Sequence, residues 1–313
     1  MSPTSGVGAG RLESSTLGTP DGARLRYAVA HPRGTPRGTV LVLPGRSEFV
    51  EKYDEVSARL VTLGYRVVVL DWRGQGRSTR ILARRERGHV ASFVVHLADL
   101  SELFTRVVCP LGPEPVVFMG HSMGAHVGLR YLHDHPGAAA RAIWSAPMVA
   151  MCTPKPRPLV RRAVHWLVRF GAGELYVPHG TDFDPATRVY EGNDVTTDPA
   201  RFARAVELMA SDRELALGAP TLGWVEAAFA SEEVLARPGY VEAIDLPTLV
   251  LTAERDTVVS NAAQTSLCER LPNARQVLVP GAQHEIFQET DAIQAVAWAA
   301  IENFLATPPH NLR

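Results

Sequence analysis

Cysteine is scarce in this 313-residue chain, with only Cys109, Cys152 and Cys268 present. They form no CxxC pair and no zinc-like spacing with histidine, which excludes a disulfide-stapled scaffold and a structural zinc module. An excess of charge of one sign is missing too. Lys and Arg number 32 against 33 Asp and Glu, a formal net charge of -1, so no global basic field exists and nucleic acid is not an expected partner. No stretch approaches the roughly 20 apolar residues of a membrane span. The opening MSPTSGVGAGRLESSTLG lacks the basic segment and apolar run of a secretory signal, so the expected location is cytoplasmic. Residues 1–10, dominated by Gly, Ser and Pro, read as a mobile tail. The remaining composition, 46% hydrophobic and 21% charged, suits a globular chain with one sizeable core and room for an insertion.

Along the chain, short β-branched runs alternate with helical stretches, the βαβ rhythm of a parallel sheet. After an opening hairpin expected around Arg24 to Ala30, strands are expected at Thr39–Leu43, Arg66–Leu70, Val116–Met119, Arg141–Ser145, Leu249–Thr252 and Gln276–Val279. Helices are expected at Tyr53–Leu63, Ser92–Val108 and Ala125–Tyr131. The strands are continuous apolar runs, as expected where both sheet faces are covered. The rhythm breaks after Pro147 and resumes near residue 236, so residues 11–147 and 236–313 read as an α/β core and 148–235 as an inserted, mainly helical cap.

The most informative motif is GHSMG at residues 120–124, with a strand before it and a helix after it. A serine hydroxyl is a poor nucleophile, and a tight strand-to-helix turn exposes it to a base. Ser122 is therefore the candidate nucleophile, with Gly120 and Gly124 required sterically by the turn. Among 11 histidines, His284 in PGAQHEIF follows the last strand, on a loop at the carboxyl edge of the sheet, and is the candidate base. His121 adjoins the serine but points elsewhere, and His133, His135, His165 and His179 read as surface or cap residues. Asp256 in TAERD completes the chain order Ser, Asp, His. Glu254 is its rival, better placed to support the loop, and Asp71 reads as a turn-fixing residue. The oxyanion of a tetrahedral intermediate needs backbone donors, expected from Met123 and, in LPGRSEF, from Arg46. The Arg46 side chain is either a solvated charge or a contact for a phosphate or glycerol headgroup.

Two cap helices carry further expectations. A helix over Leu159–Phe170 places Arg161, Arg162, His165 and Arg169 along one edge of a broad apolar face that includes Trp166 and Phe170. This suits either packing on the core or contact with an anionic membrane surface. Farther on, Leu222, Val225 and Phe229 fall at helical spacing, and Trp224 adds apolar surface, so these four are expected to line an acyl channel.

With these residues assigned, the chain resembles the bacterial lysophospholipase and monoacylglycerol lipase branch of the α/β-hydrolases. The resemblance runs from about Asp21 onward through PGRSEFVEKY (44–53), LDWRGQGRS (70–78), RGHVASF (87–93), GHSMG and SAPM (145–148). In the cap, EGNDVTTDPARF (191–202) and LGAPTLGWVEAAF (217–229), and then GAQHEIFQETDAI (281–293), resemble the lysophospholipase group in particular. The resemblance implies hydrolysis of the acyl ester of a single-chain lipid by Ser122, Asp256 and His284, without a cofactor. Many monoacylglycerol lipases carry His-Gly in the oxyanion loop; Pro44-Gly45 stands here and leans toward the lysophospholipases. A monoacylglycerol lipase, a broad carboxylesterase and a non-catalytic hydrolase-fold binding protein are the other readings. A long apolar tunnel favours the lipid enzymes over the esterase, and loss of a triad member would mark the binding protein.

Overall fold

The structure, a computed structural model, describes residues 10–153 and 156–307. The tail read at residues 1–10 lies outside these residues apart from Gly10. In chain order the elements are β1 (Glu13–Gly18), β2 (Arg24–Ala30), β3 (Thr39–Leu43), α1 (Asp54–Thr62), β4 (Arg66–Leu70), α2 (Val94–Leu103), β5 (Val116–His121) and α3 (Met123–Asp134). They continue as β6 (Arg141–Ser145), α4 (Arg157–Leu167), α5 (Pro199–Ser211), α6 (Leu222–Ala236), β7 (Thr248–Ala253), α7 (Asn261–Arg270), β8 (Ala274–Val279) and α8 (Asp291–Ala306). The expected helix at Tyr53–Leu63 starts one residue later, after a tight turn at Val50–Tyr53. That at Ser92–Val108 is regular only from Val94 to Leu103 and continues as a wider turn through Phe104–Val108.

One eight-stranded sheet runs β1-β2-β4-β3-β5-β6-β7-β8. The β1–β2 hairpin joins β4 antiparallel, and all other neighbours are parallel. Successive side chains on a strand point to opposite faces. Leu41, Leu43, Val68, Leu70 and Phe118 therefore join the core under α2, α3 and α7, while Val40, Val42, Val67, Val69 and Met119 join the core with α1 and α8. This double burial explains the unbroken apolar runs of β3, β4 and β5.

The topology also sets where a site can form. From β3 the chain steps outward to β4, then returns to β5 on the other side and proceeds to β6, β7 and β8. Loops leaving β3 and β5 at their carboxyl ends diverge there and leave a crevice, the usual ligand site of an open α/β sheet. Leu43 lies opposite Gly120 in the ladder, so the loop beginning at Pro44 and the turn at Ser122 flank that crevice. Between β6 and β7 the described residues contribute α4, α5 and α6 and no strand of the sheet.

Candidate active site

Ser122 sits on the turn from β5 into α3 with φ 50 and ψ -114, a conformation that costs a non-glycine residue on the order of 1–3 kcal/mol. Its backbone hydrogen bonds hold it there. Ser122 N donates to the Ser145 carbonyl at 3.0 Å, and its own carbonyl accepts from His126 N and Met148 N at 3.1 Å each. A Cβ at Gly124 would overlap the Leu43 carbonyl oxygen, and one at Gly120 would lie 2.7 Å from Ala125 Cα. Both glycines are therefore steric requirements of the turn.

The three residues expected to act together are brought together. His284, on the loop after β8, places Nε2 2.9 Å from Ser122 Oγ. Its Nδ1 lies 2.7 Å from Asp256 Oδ2, on the loop after β7. Asp256 Oδ1 accepts from the amides of Val258 at 2.8 Å and Val259 at 3.0 Å, and its side chain is fully buried. Burial alone would raise this carboxyl. The hydrogen bond and charge of His284 and the two amides more than offset it and hold Asp256 below the ordinary carboxylate value. With Asp256 ionised, His284 carries its proton on Nδ1 and leaves Nε2 to accept from the Ser122 hydroxyl. This arrangement can withdraw a proton from Ser122 and return it to a leaving group. Glu254 instead accepts from Gly281 N at 2.8 Å and braces the β8 loop.

Met123 N is the first amide of α3 and has no intrahelical acceptor. Arg46 N lies on the loop across the crevice, and that loop is pinned at successive groups. The Trp72 indole donates to the Pro44 carbonyl at 2.7 Å, Gln75 Nε2 donates to the Gly45 carbonyl at 2.7 Å, and Gly45 N donates to Glu48. Trp72 and Gln75 both lie in the LDWRGQGRS segment, and Asp71 there accepts from Val50 N at 2.9 Å and Arg77 N at 2.8 Å. No spacing in the sequence marks Trp72 and Gln75 as partners of the β3 loop.

A buried ionic cluster backs the triad and was also invisible in the sequence. His121 turns away from Ser122, with Nδ1 3.0 Å from Glu48 Oε2 and Nε2 3.2 Å from the His284 carbonyl. Both ring nitrogens face acceptors, which calls for the doubly protonated ring. Burial opposes that charge, but the Glu48 carboxylate outweighs it and raises His121. Tyr53 donates to Glu48 at 2.6 Å, and Lys52 joins Glu48 to Glu285. The cluster thus ties the β3 loop, the residue before Ser122 and the His284 loop to one another.

Over the triad lies a cavity of about 400 Å³, lined by Ser122, His284, Arg46, Trp224, Arg188 and a run of apolar side chains including Met148, Met151, Val206, Met209 and Val259. The Arg46 side chain is not a solvated surface charge. It donates to the Gly218 carbonyl at 2.6 Å and to Ser47 Oγ at 3.0 Å, and lies 5.5 Å from the Trp224 ring centre. Burial, then the charge of Arg188, push it down to about 9.

Of the four residues expected to line an acyl channel, only Trp224 borders this cavity. Leu222 and Phe229 pack with Val164 of α4, and Val225 packs against that group. The correction has a simple cause: α6 is apolar nearly all round. Trp224, Ala227, Ala228 and Leu235 turn to the core, while the face holding Leu222, Val225 and Phe229 meets α4, and helical spacing cannot say which neighbour each face meets. In α4 itself the regular helix stops at Leu167, with Gly171 at φ 90 just beyond. Leu159, Trp166, Leu167 and Phe170 are exposed, Phe170 by 81%, and on the basic edge Arg161 pairs with Glu233 and His165 with Glu226.

Comparison with known proteins fits this geometry. The sequence profile of the family described as Serine aminopeptidase, S33 matches residues 34–291. Lysophospholipase L2 of Escherichia coli K12 is 34% identical over 276 residues, covering 85% of this chain and 79% of its own length. The monoacylglycerol lipase of Mycolicibacterium smegmatis is 27% identical over 295 residues, covering 91% and 94%. Among solved structures, a soluble variant of Saccharomyces cerevisiae monoglyceride lipase superposes with a TM-score of 0.75 at 21% identity, covering 94% of this chain and 96% of that one. A thermostable carboxyl esterase from Bacillus coagulans superposes with a TM-score of 0.76 at 18% identity, covering 96% and 98%. At such identities the superpositions speak for the α/β-hydrolase fold alone.

Proposed function

We propose a substrate class from a settled premise: this chain belongs to the α/β-hydrolase family described as Serine aminopeptidase, S33. The protein is a serine hydrolase that cleaves the acyl ester of a lysophospholipid or related monoacyl lipid. The observation that carries this reading is the Ser122–His284–Asp256 relay, at 2.9 and 2.7 Å, opening into a cavity walled by apolar side chains.

Ser122 Oγ attacks the ester carbonyl as His284 Nε2 takes its proton, and the carbonyl oxygen becomes an oxyanion held by the amides of Arg46 and Met123. Collapse of that intermediate breaks the bond to the glycerol oxygen, which leaves with the proton from His284. Water then attacks the acyl-enzyme by the same route and releases the fatty acid. Asp256 holds the His284 tautomer and stabilises its cation throughout. Residues 148–235 act as the cap over the crevice, and the acyl chain lies among Met148, Met151, Val206, Met209 and Val259, with Trp224 at its edge.

The cap also brings the enzyme to anionic bilayers. Leu159, Trp166, Leu167 and Phe170 form an exposed apolar edge, flanked by Arg162 and Arg169, which suits the interfacial layer of a membrane. No helix among the described residues is long and apolar enough to cross one, so the contact is peripheral.

Hydrolysis of lysophosphatidylethanolamine, lysophosphatidylcholine, monoacylglycerol and short nitrophenyl esters tests the substrate class. Preference for the monoacyl lipids is the expected outcome; preference for short esters makes the protein a general carboxylesterase. Labelling of wild type but not Ser122→Ala by a fluorophosphonate is expected, and an unlabelled folded wild type would make it a binding protein.

A further inference from the structure

Four lysine and arginine side chains line the cavity over Ser122: Arg46, Lys52, Arg188 and Arg201. Two of them are already neutralised. Lys52 bridges Glu285 and Glu48, and Arg201 pairs with Asp198, Glu55 and Asp291. Arg46 and Arg188 have no carboxylate partner among the described residues. The Arg46 guanidinium is held in place by the Gly218 carbonyl, Ser47 Oγ and the Trp224 ring, all neutral groups, and its buried Nε has no hydrogen-bond partner among the described residues. Of the carboxylates on the cavity wall, Glu285 is taken up by Lys52, and Asp194 is exposed.

A fixed, partly desolvated guanidinium that lacks a counter-ion is costly unless something supplies one. Burial lowers Arg46 most and the charge of Arg188 next, and the two side chains line the same cavity. An anion between them would relieve both effects and could take the paired N–H donors of a guanidinium fork. The neutral glycerol of a monoacylglycerol offers no such relief.

We propose that Arg46 and Arg188 form an anion subsite that takes the phosphodiester of a monoacyl phospholipid, one glycerol away from the ester presented to Ser122. The inference rests on the reading of Ser122 as an ester-cleaving nucleophile and assigns the headgroup to that same site. Arg46 thereby serves twice, its amide toward the oxyanion and its side chain toward the phosphate. Arg188, exposed on the cavity wall, supplies the second half.

The test compares kcat/KM for lysophosphatidylethanolamine and for the monoacylglycerol of the same acyl chain, in wild type, Arg188→Gln and Arg46→Met. The ratio of phospholipid to monoacylglycerol is expected to fall about tenfold in Arg188→Gln, as for loss of one charge-assisted contact, and further in Arg46→Met. Because Arg188 is exposed, its replacement leaves the core undisturbed. A second readout needs no lipid turnover: sn-glycero-3-phosphoethanolamine is expected to compete with a short nitrophenyl ester in wild type and less well in Arg188→Gln, whereas glycerol does not compete. An unchanged ratio, or equal competition in wild type and variant, overturns the subsite. A wild type that cleaves the nitrophenyl ester and neither lipid overturns the proposed substrate instead, and the competition assay still decides the subsite.

Discussion

Ser122, His284 and Asp256 come from three different loops; backbone hydrogen bonds hold Ser122 and the Asp256 carboxylate, and the His284 ring lies between their side chains. Because the members of such a relay act as a unit, Ser122→Ala, His284→Ala and Asp256→Asn are each expected to lower turnover at least about a thousandfold, measured on a nitrophenyl ester. Glu254→Gln is expected to keep turnover and lose only the brace on Gly281. The reverse pattern would transfer the acid's role to Glu254. Gln75 touches no reacting atom and positions the Arg46 amide through the Gly45 carbonyl. Gln75→Ala is expected to lower kcat on the order of tenfold with little change in KM, as for a loosened oxyanion donor; a change confined to KM would refute that role. These residues differ in legibility for a physical reason. A nucleophile, base and acid at strand tips follow a fixed chain order, whereas Trp72, Gln75, Glu48 and His121 act on loops far from them in sequence.

At the scale of elements, α6 is a two-sided wedge between the core and α4. Phe229 closes the α4 side with Leu222 and Val164, so Phe229→Ala is expected to cost about 3–5 kcal/mol of stability and to lower turnover equally for short and long acyl chains. Chain-length-dependent loss would return Phe229 to the acyl site. Thermal unfolding and a chain-length series measure the two effects. If α4 meets a bilayer as proposed, its exposed apolar edge is expected to be the larger contributor, since Arg161 is paired with Glu233. Replacing Arg162 and Arg169 with Gln is expected to weaken sedimentation with anionic vesicles by about 1 kcal/mol per residue, and added salt to do the same to wild type. Phe170→Ser is expected to weaken it at every salt concentration. Binding that survives all three changes would leave that edge without a membrane role.

Across the whole molecule, buried ionisable groups set the response to acid. Burial pushes His126 down to about 4, and burial with the charge of Arg73 pushes His96 down to about 3, from an ordinary value of 6.5. Both are neutral when folded and protonated when unfolded between these values. Their contribution is complete above pH 6.5 and is lost as pH falls toward about 4 and about 3. Glu232 works in the opposite sense: burial raises it from 4.5 to about 7, so its contribution is complete below pH 4.5 and is lost as pH rises through about 7. Between pH 4.5 and 6.5 the two histidines outweigh the one glutamate. Through these three groups stability is expected to rise with pH there. Urea unfolding at several pH values checks this: Glu232→Gln should steepen the slope and His126→Gln should flatten it. A slope indifferent to both would refute the assignment.

The sequence by itself determined the alternation of strands and helices, the strand-to-helix turn at Ser122 and the chain order Ser122, Asp256, His284, because these depend on local periodicity and on short motifs at strand ends. Thr39–Leu43, Arg66–Leu70 and Arg141–Ser145 have the same bounds in the structure as in the pattern of residues. Only the tertiary structure decided which face of α6 meets the cavity, where the Arg46 side chain goes, and that His121 and Glu48 stand behind His284. Each of these depends on which distant segment packs against a given face. Helical spacing gives Leu222, Val225 and Phe229 a common side, but whether that side touches a substrate or another helix is settled only when α4 folds against it.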